Sequence, residues 1–123
     1  MKTRVMLVED NRMNSRLVEY VLEGDEFETT IIASAEEAVQ AAADDPPDII
    51  LMDIQLPGMD GLEATRRLKQ NPLTAKIPVV AITAHAMRGD EERVRAAGCD
   101  GYISKPINTR ELAGTVRKFL AAG

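Results

Sequence analysis

Asp48-Ile49-Ile50-Leu51-Met52-Asp53 is the stretch on which the fold turns. Its almost continuous apolar run between two aspartates has the character of a β-strand covered on both faces. Residues 4–9 and 78–83 repeat that character, and residues 28–33 and 101–104 read as two further strands rich in β-branched side chains. Helical patterns fill the intervals. Met13, Leu17, Val21 and Leu22 share one helical face, and Leu112, Val116, Phe119 and Leu120 share another. Ser34, Asp60 and Asn108 each stand three residues before a glutamate, as helix-capping residues do. Pro46-Pro47, Pro57-Gly58 and Asn71-Pro72 punctuate the connections. The order is β-α repeated five times, and right-handed crossovers wind the helices onto both faces of one parallel sheet. The expected fold is therefore a single α/β domain over residues 1–123: one doubly wound, five-stranded parallel sheet with five helices. Residues 90–97 form the weakest helix, because Val94 is its one sizeable apolar side chain. Burying so little area, it is expected to be the most mobile.

Composition removes several function classes. With 15 Lys and Arg against 20 Asp and Glu, the formal net charge is −5. No basic stripe exists to displace counterions, so direct nucleic-acid binding is not expected. The longest aliphatic runs, such as residues 49–52, are far shorter than the roughly 20 residues of a membrane span. The opening Met1-Lys2-Thr3-Arg4 leads straight into a strand with no signal-peptide core. The single Cys99 excludes an internal disulfide and fits a reducing compartment. A cytoplasmic protein is the expectation.

In an open parallel sheet, ligands bind beyond the carboxyl ends of the strands. Those ends bring Glu9-Asp10, Asp53, Thr83 and Ser104-Lys105-Pro106 to one rim. Any one of them alone is a helix cap, a turn residue or a solvated lysine. Together they concentrate three carboxylates, a hydroxyl and an ammonium. Two carboxylates about 5 Å apart repel by roughly 3 kcal/mol at an effective dielectric near 20. Such a cluster needs shifted pKa values or a cation, and hard oxygen donors without Cys or a His cluster suit Mg²⁺ better than Zn²⁺. Mg²⁺ takes one or two carboxylates plus phosphate oxygens, which makes a phosphoryl group the natural second ligand. An ionised Asp beside that metal can attack phosphorus, with Lys105 and Thr83 holding the transferred oxygens.

At these residues the chain resembles the receiver domains of two-component response regulators. The resemblance runs through Val8-Glu9-Asp10-Asn11, Leu51-Met52-Asp53-Ile54-Gln55-Leu56-Pro57-Gly58-Met59-Asp60-Gly61, Val79-Val80-Ala81-Ile82-Thr83-Ala84 and Ala97-Gly98-Cys99-Asp100-Gly101-Tyr102-Ile103-Ser104-Lys105-Pro106. It is nearest to stand-alone cell-cycle receivers and to the receivers of hybrid histidine kinases. The resemblance implies a flavodoxin-like strand order of 2-1-3-4-5. It implies that Asp53 accepts a phosphoryl group from a phosphohistidine, with Asp10, Asp53 and the Gln55 carbonyl ligating Mg²⁺ (or Mn²⁺) and Glu9 acting through water. Lys105 would pair with the phosphoryl group, the Lys105–Pro106 bond would be cis, and Thr83 and Tyr102 would form a switch pair. Gln55 and His85 resemble positions that tune hydrolysis of the acyl phosphate. Such a protein is a signalling phosphoacceptor that catalyses its own phosphorylation and dephosphorylation. Its implied partners are a histidine kinase or histidine phosphotransfer protein and a downstream protein met by the face formed by residues 90–120.

The chain stops directly after its last helix, which points to output through another protein; a receiver excised from a hybrid kinase or longer regulator is the alternative. An aspartate-nucleophile phosphohydrolase is a further rival, but it would want a second Asp where Gln55 stands. A flavin carrier would want aromatics, which are limited to Tyr20, Phe27, Tyr102 and Phe119. A pseudo-receiver would not need the intact acidic, hydroxyl and lysine set. Among the remaining residues, Cys99 and the methionines read as core filler, and Arg66, Arg67 and Lys69 as a solvated helix face.

Overall fold

The computed structural model describes residues 2–56, 58–84 and 88–122, so Pro57 and His85 lie outside the described residues. The element order is β1 Thr3–Val8, α1 Arg12–Gly24, β2 Phe27–Ile32, α2 Ala35–Asp44, β3 Ile49–Asp53, α3 Gly61–Gln70, β4 Val79–Thr83, α4 Arg88–Ala96, β5 Gly101–Ser104 and α5 Leu112–Ala122. All strand pairs are parallel and the sheet order is β2-β1-β3-β4-β5. This is the doubly wound, flavodoxin-like arrangement expected from the sequence.

Strand alternation sorts the core into two layers. Met6, Val8, Ile50, Met52, Val79 and Ala81 face one side, where Ala38, Ala42, Leu62, Leu68 and Val94 of α2, α3 and α4 cover them. Val5, Leu7, Ile49, Leu51, Val80 and Ile82 face the other, under Val18 and Leu22 of α1 and Leu112 and Val116 of α5. Every residue of β3 and β4 is buried, which is why those strands carry no polar alternation.

Capping agrees with the sequence at two of three positions. Ser34 Oγ accepts from the Glu37 amide and Asp60 Oδ1 from the Glu63 amide. Asn108 does not cap α5. Its side chain accepts from the Arg110 amide two residues on, forming a turn, and the helix starts at Leu112. The core face of α1 also differs from the expectation. Ser15, Val18 and Leu22 are the buried positions, whereas Met13 is 82% exposed and Leu17 48%. Hydrophobic spacing alone cannot separate two overlapping faces, and packing against the sheet selected the one centred on Val18.

Lys69 is not solvated. Its ammonium donates to the Ile77 carbonyl at 2.8 Å and to Asp100 Oδ2 at 3.1 Å, tying the end of α3 to the starts of β4 and β5. Arg66 and Arg67 do lie exposed beside Glu63. Cys99 is buried with Sγ 3.7 Å from Thr65 Oγ1, and burial raises its thiol pKa, which suits a filler and not a nucleophile.

Candidate functional site

Parallel register sets the carboxyl ends of the central strands level with one another. Val8 pairs with Met52, Asp53 with Ile82, and Thr83 with Ser104. The polar residues that end or follow these strands therefore meet at one edge of the sheet.

Glu9 continues β1, its amide donating to the Ile32 carbonyl at 3.0 Å. Its side chain is 4% exposed, and Oε1 accepts from the Asn11 amide at 3.1 Å. Asn11 in turn caps α1 by accepting from the Asn14 amide, so the helix start and Glu9 hold one another in place. Asp10, between them, is exposed. Asp53 closes β3 and is 2% exposed. Its Oδ1 accepts from the Gln55 amide at 2.8 Å, while Oδ2 accepts from Lys105 Nζ at 2.9 Å. Lys105 reaches that position because its own amide donates to the Thr83 carbonyl at 2.8 Å, prolonging the pairing of β4 with β5. The Lys105–Pro106 peptide is cis. Lys105 Nζ also lies 3.9 Å from Glu9 Oε2.

Carboxylate oxygens of Glu9, Asp10 and Asp53 all fall within 4.8 Å of one another. At that spacing each ionised pair repels by roughly 3 kcal/mol at an effective dielectric near 20, and Lys105 offsets only part of this. Glu9 registers the conflict. Burial, together with contact with the Asp53 carboxyl and its charge, raises its pKa to about 7, against the lowering effects of the Asn11 amide and Lys105. The donor set consists of hard oxygens, two buried and one open to water, without thiolate or imidazole in the cluster. That chemistry fits a hard divalent cation such as Mg²⁺.

Thr83 ends β4 fully buried and by alternation shares the face of Val79 and Ala81. Tyr102 lies on β5 opposite Ala81 and packs, half-buried, against the same core layer. The two side chains thus belong to one layer. Gln55 is exposed just beyond Asp53. Two further features follow from the tertiary arrangement. Gly61 opens α3 so closely under β3 that a Cβ there would stand 2.5 Å from the Asp53 carbonyl oxygen. Glu36, in the first turn of α2, accepts from the Met59 amide at 2.8 Å, which lowers its pKa. Glu36 lies far from the site motifs in sequence, and its only advance signal was its place beside a capping serine.

Comparison with known proteins agrees with this geometry. The family profile described as "Response regulator receiver domain" matches residues 5–117. A protein of Brucella ovis named "Polar-differentiation response regulator DivK" is 47% identical over 120 residues, covering 98% of each chain. The receiver domain of sensor histidine kinase PA1611 of Pseudomonas aeruginosa, solved with a magnesium ion coordinated in its active site cleft, superposes with a TM-score of 0.91 at 33% identity, covering 98% of this chain and 99% of that one. The receiver domain of Saccharomyces cerevisiae Ssk1, co-crystallised with the histidine phosphotransfer protein Ypd1, gives 0.88 at 25% identity, covering 98% of this chain and 90% of that one. With the profile spanning nearly the whole sheet and the relatives aligning end to end, this chain belongs to the response regulator receiver domains of two-component signalling.

Proposed function

We propose that this protein is a phosphoryl-accepting switch in which Asp53 takes the phosphoryl group of a phosphohistidine and passes the change to a protein partner. The observation that supports this best is Asp53 Oδ2 held 2.9 Å from Lys105 Nζ inside a cluster of carboxylates. Asp10, Asp53 and the Gln55 carbonyl would hold Mg²⁺, with Glu9 acting through a water. When bound, that ion supplies charge neutralisation and Lewis-acid polarisation of the phosphoryl oxygens.

The protein's own groups perform the rest. An Asp53 carboxylate oxygen attacks phosphorus, the P–N bond breaks, and its electron pair leaves with the imidazole. Lys105, no longer paired with the free carboxylate, stabilises the charge on the transferred oxygens. Water later attacks the acyl phosphate, releasing inorganic phosphate and restoring the Asp53 carboxylate, a reaction in which Gln55, exposed just beyond Asp53, would influence access. Thr83 and Tyr102 respond as a pair. The hydroxyl bonds the new phosphoryl oxygens and the ring turns into the space left behind. Phosphorylation adds about −1.5 to −2 charge and three acceptors, enough to shift two states a few kcal/mol apart.

The donor side is a histidine kinase or phosphotransfer protein, in keeping with the Ssk1 receiver solved with Ypd1. Its docking surface is the exposed Met13 and Leu17 edge of α1, which leads to the cleft lined by Asn14, Leu17, Lys105, Pro106 and Ile107 beside the acceptor. Output leaves through the α4-β5-α5 face.

The test is a small phosphodonor supplied with Mg²⁺ and followed by intact-mass spectrometry. One phosphate per chain is expected on the wild type and none on Asp53→Ala. An equal adduct on Asp53→Ala moves the acceptor elsewhere and defeats the reading.

A further inference from the structure

Two arginines stand where α1 should resist them. Arg12 is its first residue and Arg16 follows one turn later, with no acidic residue in the first turn. The positive end of the helix dipole disfavours a cation there, and like charges four residues apart repel. The neighbouring helices obey the usual pattern. α2 opens with Glu36 and Glu37, and α3 carries Glu63 in its first turn and Arg67 and Lys69 in its last. Nor do internal partners offset the cost. Arg4, Arg66, Arg67, Arg95 and Arg117 each lie within 3.5 Å of a carboxylate. Among the described residues, neither Arg12 nor Arg16 has such a partner. Both are exposed, in a chain whose formal net charge is −5. A local preference broken without internal compensation points to use by something outside the chain.

Their position indicates what that is. Arg12 and Arg16 line a cleft with Glu9, Asp10 and Ile31, on the β2 side of α1 at the acceptor rim. Met13 and Leu17 are exposed on the same helix, and Leu17 borders the cleft of Lys105 and Pro106 on the other side. The outward face of α1 is thus cationic along one edge and apolar along the other. We propose that Arg12 and Arg16 are specificity-determining residues for the phosphohistidine donor, selecting a partner that presents carboxylates beside the apolar surface packed on Met13 and Leu17. The inference rests on the donor reading of the preceding subsection. Complementary charge at an interface rim speeds encounter and rejects wrong partners, and a donor with a basic rim meets two uncompensated cations. The arginines act on docking and not on the transfer step, so a small phosphodonor that needs no docking is indifferent to them.

The experiment compares wild type, the double variant Arg12→Ala/Arg16→Ala, the double variant Arg12→Lys/Arg16→Lys, and Arg66→Ala as a control on another helix. The protein donor is the fastest of the source organism's purified, phosphorylated histidine kinases and phosphotransfer proteins. The small donor is phosphoramidate with Mg²⁺. The alanine pair should slow transfer from the protein donor about tenfold, with the lysine pair within about threefold of wild type and Arg66→Ala unchanged. Phosphoramidate rates should agree within about twofold throughout. Raised ionic strength should slow protein transfer to wild type and leave the alanine pair nearly indifferent. The unfolding midpoint of the alanine pair should be no lower than that of wild type, because an unfavourable charge pair is removed. An unchanged rate from the protein donor overturns the inference. So does an equal loss with phosphoramidate, which would tie the arginines to the acidic site, or a lowered midpoint, which would reveal an internal partner. Failure of every protein donor on the wild type overturns the donor reading itself, which separates the two failures.

Discussion

Buried at the end of β1, the Glu9 carboxyl holds its proton up to about pH 7 because burial and the neighbouring Asp53 oppose its charge. The folded chain binds that proton more tightly than the unfolded chain does. The resulting stabilisation of the metal-free protein is complete below the ordinary glutamate value of 4.5 and is lost as pH rises through about 7. Glu9→Gln keeps a neutral side chain at every pH. Urea unfolding without divalent ions should therefore show wild type losing stability relative to Glu9→Gln between pH 5 and 8, about the interval just named. Parallel curves would remove burial as the cause. At this scale the residue types were legible, since Glu9, Asp10, Asp53, Thr83 and Lys105 stand at strand ends in the sequence itself. The protonation of Glu9 was not, because desolvation depends on what packs around the carboxyl.

Where strand passes into helix, the start of α3 shows how an element is positioned by one missing methyl. Gly61→Ala would drive a Cβ to 2.5 Å from the Asp53 carbonyl oxygen and 2.7 Å from Ile54 Cα, both backbone atoms with little freedom to move. Destabilisation of about 2 kcal/mol is expected in thermal or chemical unfolding, and a neutral outcome would mean that α3 can shift without cost. The far end of the same helix depends on Lys69. Its loss leaves the Ile77 carbonyl and Asp100 short of a donor, whereas Arg66 makes a 3.5 Å exposed contact with Glu63. Lys69→Ala should cost about 2 kcal/mol and Arg66→Ala no more than about 0.5 kcal/mol by the same measurement. Lys69 and Arg66 look alike in sequence, as basic residues on a helix. Only the approach of the β4 and β5 starts gives Lys69 its acceptors.

Over the whole molecule, five strand ends are brought level and their charges must be reconciled. Mg²⁺ at ten times its dissociation constant should stabilise the fold by about 1.4 kcal/mol, a rise in Tm of about 5 °C. Asp53→Asn removes repulsion and should raise the metal-free stability by about 1 kcal/mol while abolishing most of the Mg²⁺ response. A wild-type Tm indifferent to millimolar Mg²⁺ would end the metal assignment. The sequence by itself determined the α/β alternation, the doubly buried central strands and the residue types at the functional edge. These follow from local periodicity and from the rule that parallel strands present their carboxyl ends together. Tertiary structure alone decided which face of α1 is buried, that Asn108 turns the chain instead of capping α5, and that Lys69 and Glu36 tie distant segments. Apart from the local turn at Asn108, those outcomes rest on contacts between residues far apart along the chain, where packing and desolvation set the energies and local pattern has no influence.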